Sequence, residues 1–218
     1  MTYTDPDLKY GVAAAQVVGR AVLRVANAPT PPQRFADFST ALIGYFSEIK
    51  GLAEKQRKDD EQRDRLIVDQ VFGLAGDTKN PVTAPASLAI TPHFDFAPLE
   101  QAIARLHIVA TSYDCTYAAR GAALDPPKRQ ELNGLLRDVD QLLLDDRGLP
   151  GRPWYRNLIA APGRFTGYTA KTLPGVREAI EERRYADAII FINRTAAAIN
   201  AYTNRLQRSE KLLAGPMK

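Results

Sequence analysis

The 218-residue chain has few of the side chains that most often hold metals or form covalent intermediates: one cysteine, Cys115, and two histidines, His93 and His107. A single cysteine excludes an internal disulfide framework. With no His-x-x-x-His or Cys-x-x-Cys spacing, there is no short ligand pair on which metal centres are usually built. "HFD" at 93–95 is the sole short His/Asp pairing, and it reads as a loop cap ahead of a helix. No apolar run approaches the roughly 18 residues of a membrane span. The opening "MTYTDPDLKYG" lacks the basic start and apolar stretch of an export signal. Period-two alternation over strand length is also missing, so no sheet is expected. Net charge is +4, which would suit an acidic partner. The lysines and arginines are scattered, however, and the densest stretch, "EKQRKDDEQRDR", mixes both signs. Without a basic stripe interleaved with aromatics, nucleic acid is not an expected partner.

Helical periodicity is what the chain does have. Asp5-Pro6 suits a helix start, and from Leu8 to Asn27 Val12, Ala15, Val18, Val22 and Val25 form a broad apolar face, closed by "APTPP" at 28–32. From about Gln33, Phe35, Phe38, Leu42, Tyr45, Ile49 and Leu52 alternate steps of three and four along one stripe. Lys55 to Arg65 has no apolar residue and reads as a solvated extension of that helix, before Leu66 to Leu74 turns apolar again. An irregular, proline-bearing connection is expected over about 76–94. A third helix carries Phe96, Leu99, Ile103, Leu106, Ala110, Tyr113 and Tyr117. His107 flanks this stripe and reads as a hydrogen-bonded residue at the core edge, and Cys115 as a packed thiol. Asp125-Pro126-Pro127 opens a fourth helix with Leu132, Leu135, Leu136, Val139, Leu142 and Leu143. Asp145 and Asp146 could be paired acids for hydrolysis, but their place at a helix end favours organising a turn. A short helix follows Leu173-Pro174-Gly175, and a long one spans about Tyr185 to Leu213 with Ile189, Ile192, Ala196, Ile199 and Leu206 inward. The expectation is an all-α, four-helix-bundle-like domain over 1–218, interrupted by a long ordered Pro/Gly-rich loop at about 145–175.

That loop contains "GLPGRPWYRNLIAAPG", with the only tryptophan of the chain. Prolines restrict φ and reduce the entropy lost when a loop is held in one shape. Trp154 and Tyr155 are expected to serve as buried anchors, with Arg152 and Arg156 reaching carbonyls or carboxylates. Such a loop either packs on its own bundle or meets another surface.

With its flanks, "DDRGLPGRPWYRNLIAAPGRFTGYTAKTLPGVREAI" resembles the C-terminal dimerisation domain shared by the transferrin receptor and glutamate carboxypeptidase II. The matching positions are Gly148, Leu149, Pro150, Arg152, Pro153, Trp154, Tyr155 and Arg156, then Ala161-Pro162, Tyr168 and Pro174-Gly175. "DPDLKYGVAAAQVVGRAVLRVANA" resembles the first helix of the same domain, so the likeness runs along essentially the whole chain. The resemblance implies a non-catalytic homodimerisation module. It also implies that the two zinc ions of the family's carboxypeptidases belong to a separate peptidase domain, a second partner that this sequence does not contain. No cofactor is expected in this chain, and the parent would act in the periplasm or outside the cell. The family's loop reaches the substrate pocket, where a Lys-Tyr pair grips a terminal carboxylate; here Tyr168 is kept and Gly167 replaces the lysine. Two other readings remain: peptide hydrolysis as the activity of the parent protein, and a free-standing interaction module.

Overall fold

The computed structural model describes residues 6–74, 76, 79, 82–166 and 169–215. It is mainly helical. The elements are α1 (Lys9–Ala26), α2 (Phe35–Val68), the single turn α3 (Val71–Leu74), α4 (Ala97–Arg120), α5 (Pro126–Leu136), α6 (Pro174–Glu181) and α7 (Tyr185–Ala214). Two three-residue strands, β1 (Ala160–Pro162) and β2 (Ala170–Thr172), pair antiparallel, with Ala161 opposite Lys171. This hairpin lies inside the loop, where three residues are too few to leave a readable alternation.

α7 is the central helix. α4 runs beside it in the same direction, tied by Arg105 to Asn200, Asn204 and Gln207, and near its end by Arg120 to the Ala214 carbonyl. α2 runs antiparallel to α4. At one end of that pair Asp114 accepts from the Phe35 and Ala36 amides at 3.3 and 2.9 Å. A carboxylate on unpaired first-turn N–H groups both caps the helix and complements its dipole. At the other end Lys50 meets Glu100 at 3.2 Å. α5 begins where expected, Asp125 accepting from the Lys128 amide and Pro126 and Pro127 filling the first turn.

The fourth helix is shorter than its leucine pattern suggests. It stops at Leu136 and is followed by a 3-10 segment, Val139–Leu143, that keeps Val139 and Leu143 buried. The tighter turn preserves the inward direction while bending the chain toward the loop. In α7 the stripe is Ala188, Phe191, Ile192, Thr195, Ala196, Ile199, Tyr202, Thr203, Leu206, and Ile189 falls outside it at 52% exposed.

α2 continues unbroken through the charged stretch 55–65. α1 is the exception to the bundle. It is a regular helix of 18 residues with no buried residue.

Candidate functional site: the 145–175 loop and its uncovered neighbours

The loop is held from inside by a charge. Arg152 donates through Nη2 to both carboxylate oxygens of Glu178, at 2.8 and 2.7 Å, and through Nη1 to the Pro162 carbonyl. Glu178 Oε1 also accepts from the Arg164 amide at 2.9 Å. Both side chains are buried, so this one pair fixes the 148–153 turn, the β-hairpin and α6 to one another. A buried ion pair tolerates no loss of one partner, because the survivor remains charged and desolvated. Gly148 has φ +66°, and a Cβ there would lie 2.1 Å from the Pro153 carbonyl oxygen, so the turn closes only on glycine. Gly175 performs a similar service at the start of α6, where a Cβ would come within 2.2 Å of the Phe191 ring. Leu149, Leu158, Ile159 and Ala161 complete the inner side.

The outer side reverses an expectation. Trp154 is 71% exposed and Tyr155 is also at the surface, so neither is a buried anchor. The tight turn bridging Leu149 and Arg152 puts the leucine and the arginine inside, and a second turn, closed by the Tyr155 amide donating to the Arg152 carbonyl at 3.0 Å, leaves Pro153 and Trp154 at its tip. Tyr155 lies under the Arg152 guanidinium, 5.5 Å from ring centroid to Cζ. Arg156 meets Asp146 at 3.2 Å in the open, an exposed pair of little energetic weight. Phe165 is exposed as well, with the Arg164 guanidinium 5.3 Å over its ring. Tyr168 and Gly167 lie outside the described residues. Asp145 accepts from the Arg147 amide at 3.0 Å and pairs with Arg194 of α7 at 3.0 Å. It organises the entry into the loop.

A second charged hub joins α2 to the far end of the fold. The Asp60 side chain is fully enclosed and accepts from the Thr91 amide and hydroxyl, at 3.0 and 2.8 Å, and from the Arg183 fork. Arg183 also donates to the Ala89 carbonyl and to Tyr185 Oη. The Arg183 bonds, and then those of Thr91, hold the Asp60 carboxyl well below the usual carboxylate range, and the Asp60 bonds push Arg183 up. Arg152 reaches a carbonyl and a carboxylate as expected, but its partner Glu178 and the whole Asp60 hub drew no notice from the sequence. Asp60 had a signal, since it continues the buried row Phe46, Ile49, Ala53 two turns further on.

His107 Nδ1 sits 2.9 Å from Ser39 Oγ, and that hydroxyl also bonds to the Ala36 carbonyl. Ser39 is fully buried, which suits a structural bond and bars a nucleophile. Cys115 is exposed rather than packed, lying on the outer side of α4. In "HFD" the capping residue is Asp95, which accepts from the Ala97 amide at 2.9 Å, while His93 is exposed. Among the described residues no group of three His, Cys, Asp or Glu side chains could hold a metal ion. The donors present therefore do not fit a zinc site. Nor is any helix among them long and apolar enough to cross a membrane.

What the arrangement can do is bind. The large apolar side chains of α1 (Tyr10, Val12, Val17, Val18, Val22, Leu23 and Val25) are each between 54% and 73% exposed. A helix apolar over so much of its circumference belongs in an interface.

Bundle, buried-arginine loop and uncovered faces together define a helical association domain. The profile of the transferrin receptor-like dimerisation domain matches residues 94–207, more than half the chain, and the chain belongs to that family. It is similar to a probable glutamate carboxypeptidase of Arthroderma benhamiae, 32% identical over 109 residues, which is 50% of this chain and 15% of that protein. A probable glutamate carboxypeptidase of Arabidopsis thaliana is 25% identical over 182 residues, 84% of this chain and 21% of that protein. The vacuolar protein sorting-associated protein 70 of Saccharomyces cerevisiae is 34% identical over 55 residues, a quarter of the chain and 7% of that protein. The chain thus spans about a fifth or less of the length of these curated relatives.

Proposed function

We propose that this chain is the non-catalytic homodimerisation module of a glutamate carboxypeptidase-like zinc peptidase. Hydrolysis of C-terminal residues, and the zinc it needs, are assigned to a peptidase domain of the parent protein. The observation that carries the homodimerisation reading is the family match to a dimerisation domain over residues 94–207, and the apolar side chains that α1 presents to solvent support a further covering domain. In this reading α1 and the outer side of the loop, with Trp154 and Phe165, are the surfaces that the peptidase domain covers. Tyr168 keeps the role of a phenol near the substrate carboxylate, and Gly167, in place of a lysine, weakens selection for acidic C-terminal residues.

The test is sedimentation of the pure chain across the micromolar range, alongside a dipeptide hydrolysis assay with and without added zinc. The expected result is a particle of twice the 24.0 kDa chain mass and no hydrolysis under either condition. A monomer at every concentration removes the dimerisation role. Zinc-dependent turnover lost in His93→Ala removes the non-catalytic assignment.

A further inference from the structure

We propose that two copies of this chain meet along the outer face of α7, the two-fold axis passing close to Ala197. The inference rests on the self-association reading above and names the surface responsible. Along the exposed side of α7, Ala186, Ile190, Asn193, Ala197, Ala201 and Asn204 follow one another at steps of four and three, forming a row over five turns without a charge. In a chain with 25% charged residues such a row is unusual, and depletion of charge is the compositional mark of an interface centre. The face is also shaped. Asn193 and Ala197 form a ridge between two open grooves, one of about 570 Å³ against Leu144–Arg147 and one of about 460 Å³ against Pro98, Gln101 and Arg105 of α4.

Knobs of matching size stand beside these grooves. Ile190 is 50% exposed on the row itself, and Ile108, one step beyond Arg105 on α4, is 70% exposed. Alanines on the ridge let two helices approach closely, so that isoleucines of one copy can enter grooves of the other. An isologous contact of this kind presents the same surface twice. Charge selects the occupant. Each chain carries +4, so two copies repel unless the contact is free of unpaired cations. Of the cations beside this face, Arg105 is spread over the side-chain oxygens of Asn200, Asn204 and Gln207, and Arg194 and the exposed Arg147 at the lip of the larger groove both pair with Asp145, next to Asp146, which pairs with Arg156. Each cation beside the face therefore has an oxygen partner within its own chain, which limits repulsion between two copies and leaves none unpaired for an acidic partner. α4 and the 186–204 row of α7 lie within the matched dimerisation profile, and α1 lies outside it.

The experiment is sedimentation of the full chain at micromolar concentration, for the wild type, Ala197→Glu, Ala197→Lys and Val18→Glu, with helix content followed by circular dichroism. The wild type and Val18→Glu are expected to dimerise. Either substitution at 197 should raise the dissociation constant at least about a hundredfold, as expected for like charges facing each other across a two-fold axis. An equimolar mixture of Ala197→Glu and Ala197→Lys should recover a heterodimer, which neither a misfolded variant nor a remote effect would do. Wild-type dimerisation by Ala197→Glu overturns the inference, as does dissociation by Val18→Glu alone, which would put the contact on α1. A wild type that never dimerises removes the self-association reading itself, and the inference with it.

Discussion

α1 and α7 contain the same kind of sequence and meet opposite fates. Both repeat apolar residues at steps of three and four. α7 buries eleven of its residues and α1 none. Periodicity states that a helix has a side to hide and says nothing about whether the cover lies in the same chain. The loop repeats the contrast within three residues: Arg152, a cation, is enclosed, and Trp154, the most apolar candidate of the segment, is at the surface. The polar partner waiting at Glu178 decided the first outcome, and the tightness of the turn the second.

The largest effect is expected from the enclosed side of this comparison. Arg152→Ala leaves Glu178 buried without its counter-charge, and a loss of about 3–5 kcal/mol in chemical denaturation is expected. A loss below about 1 kcal/mol would mean that water reaches Glu178 and the loop is not held from inside.

Ile199→Ala, in the middle of α7, is expected to cost about 2–5 kcal/mol, as for other fully buried aliphatic truncations. Its counterpart in α1, Val18→Ala, should change the stability of the isolated chain by no more than about 0.5 kcal/mol. Equal costs would erase the distinction between the two helices, and would mean that α1 is covered in solution.

The third expectation concerns pH. The folded Asp60 carboxyl titrates below its unfolded counterpart, which lies near about 3.9. Its contribution is therefore fully present above that unfolded value and is lost as pH falls from there toward the depressed folded value. Urea midpoints from pH 7 to pH 2 should show stability declining below about pH 4. Asp60→Asn, already less stable at pH 7, should decline less steeply over the same interval. Parallel curves would show that other carboxylates carry the acid sensitivity.

The smallest effect belongs to Trp154→Ala, expected within about 0.5 kcal/mol for an exposed side chain. A red-shifted fluorescence maximum in the wild type is the companion measurement, since this is the chain's only tryptophan. A blue-shifted maximum would put the indole under a partner surface already present in the pure protein.

What could be read from the sequence follows from how local each feature is. The α2 stripe is a property of one helix, and Leu42 and Ile49 are fully buried as its spacing predicts, with Phe38, Tyr45 and Leu52 packed at its edge. Asp125 announced α5 because a cap acts within three residues. Ile189 was misplaced by one position at a helix start, where too few turns precede it to fix the phase. The Arg152–Glu178 and Asp60–Arg183 pairs stayed hidden because no spacing rule links residues 26 or 123 positions apart. The packing that enclosed those charges is tertiary, and Cys115 was misjudged for the same reason: its neighbours in sequence are aromatic, but nothing packs over it.

The separation between Asp60 and Arg183 also bears on the order of assembly. Contacts between distant positions carry a larger closure entropy and are made after local ones have reduced the search. The Arg152–Glu178 pair can close while the bundle is still forming, but the Asp60 latch needs α2, the 82–96 connection and the α6–α7 corner all in place. It is therefore expected to form on the native side of the folding barrier. In stopped-flow measurements Asp60→Asn should unfold faster than the wild type and refold at nearly the same rate. Slowed refolding would place the latch inside the nucleus. If it forms late, this buried carboxylate governs how long the assembled domain persists, and has little influence on how fast it is made.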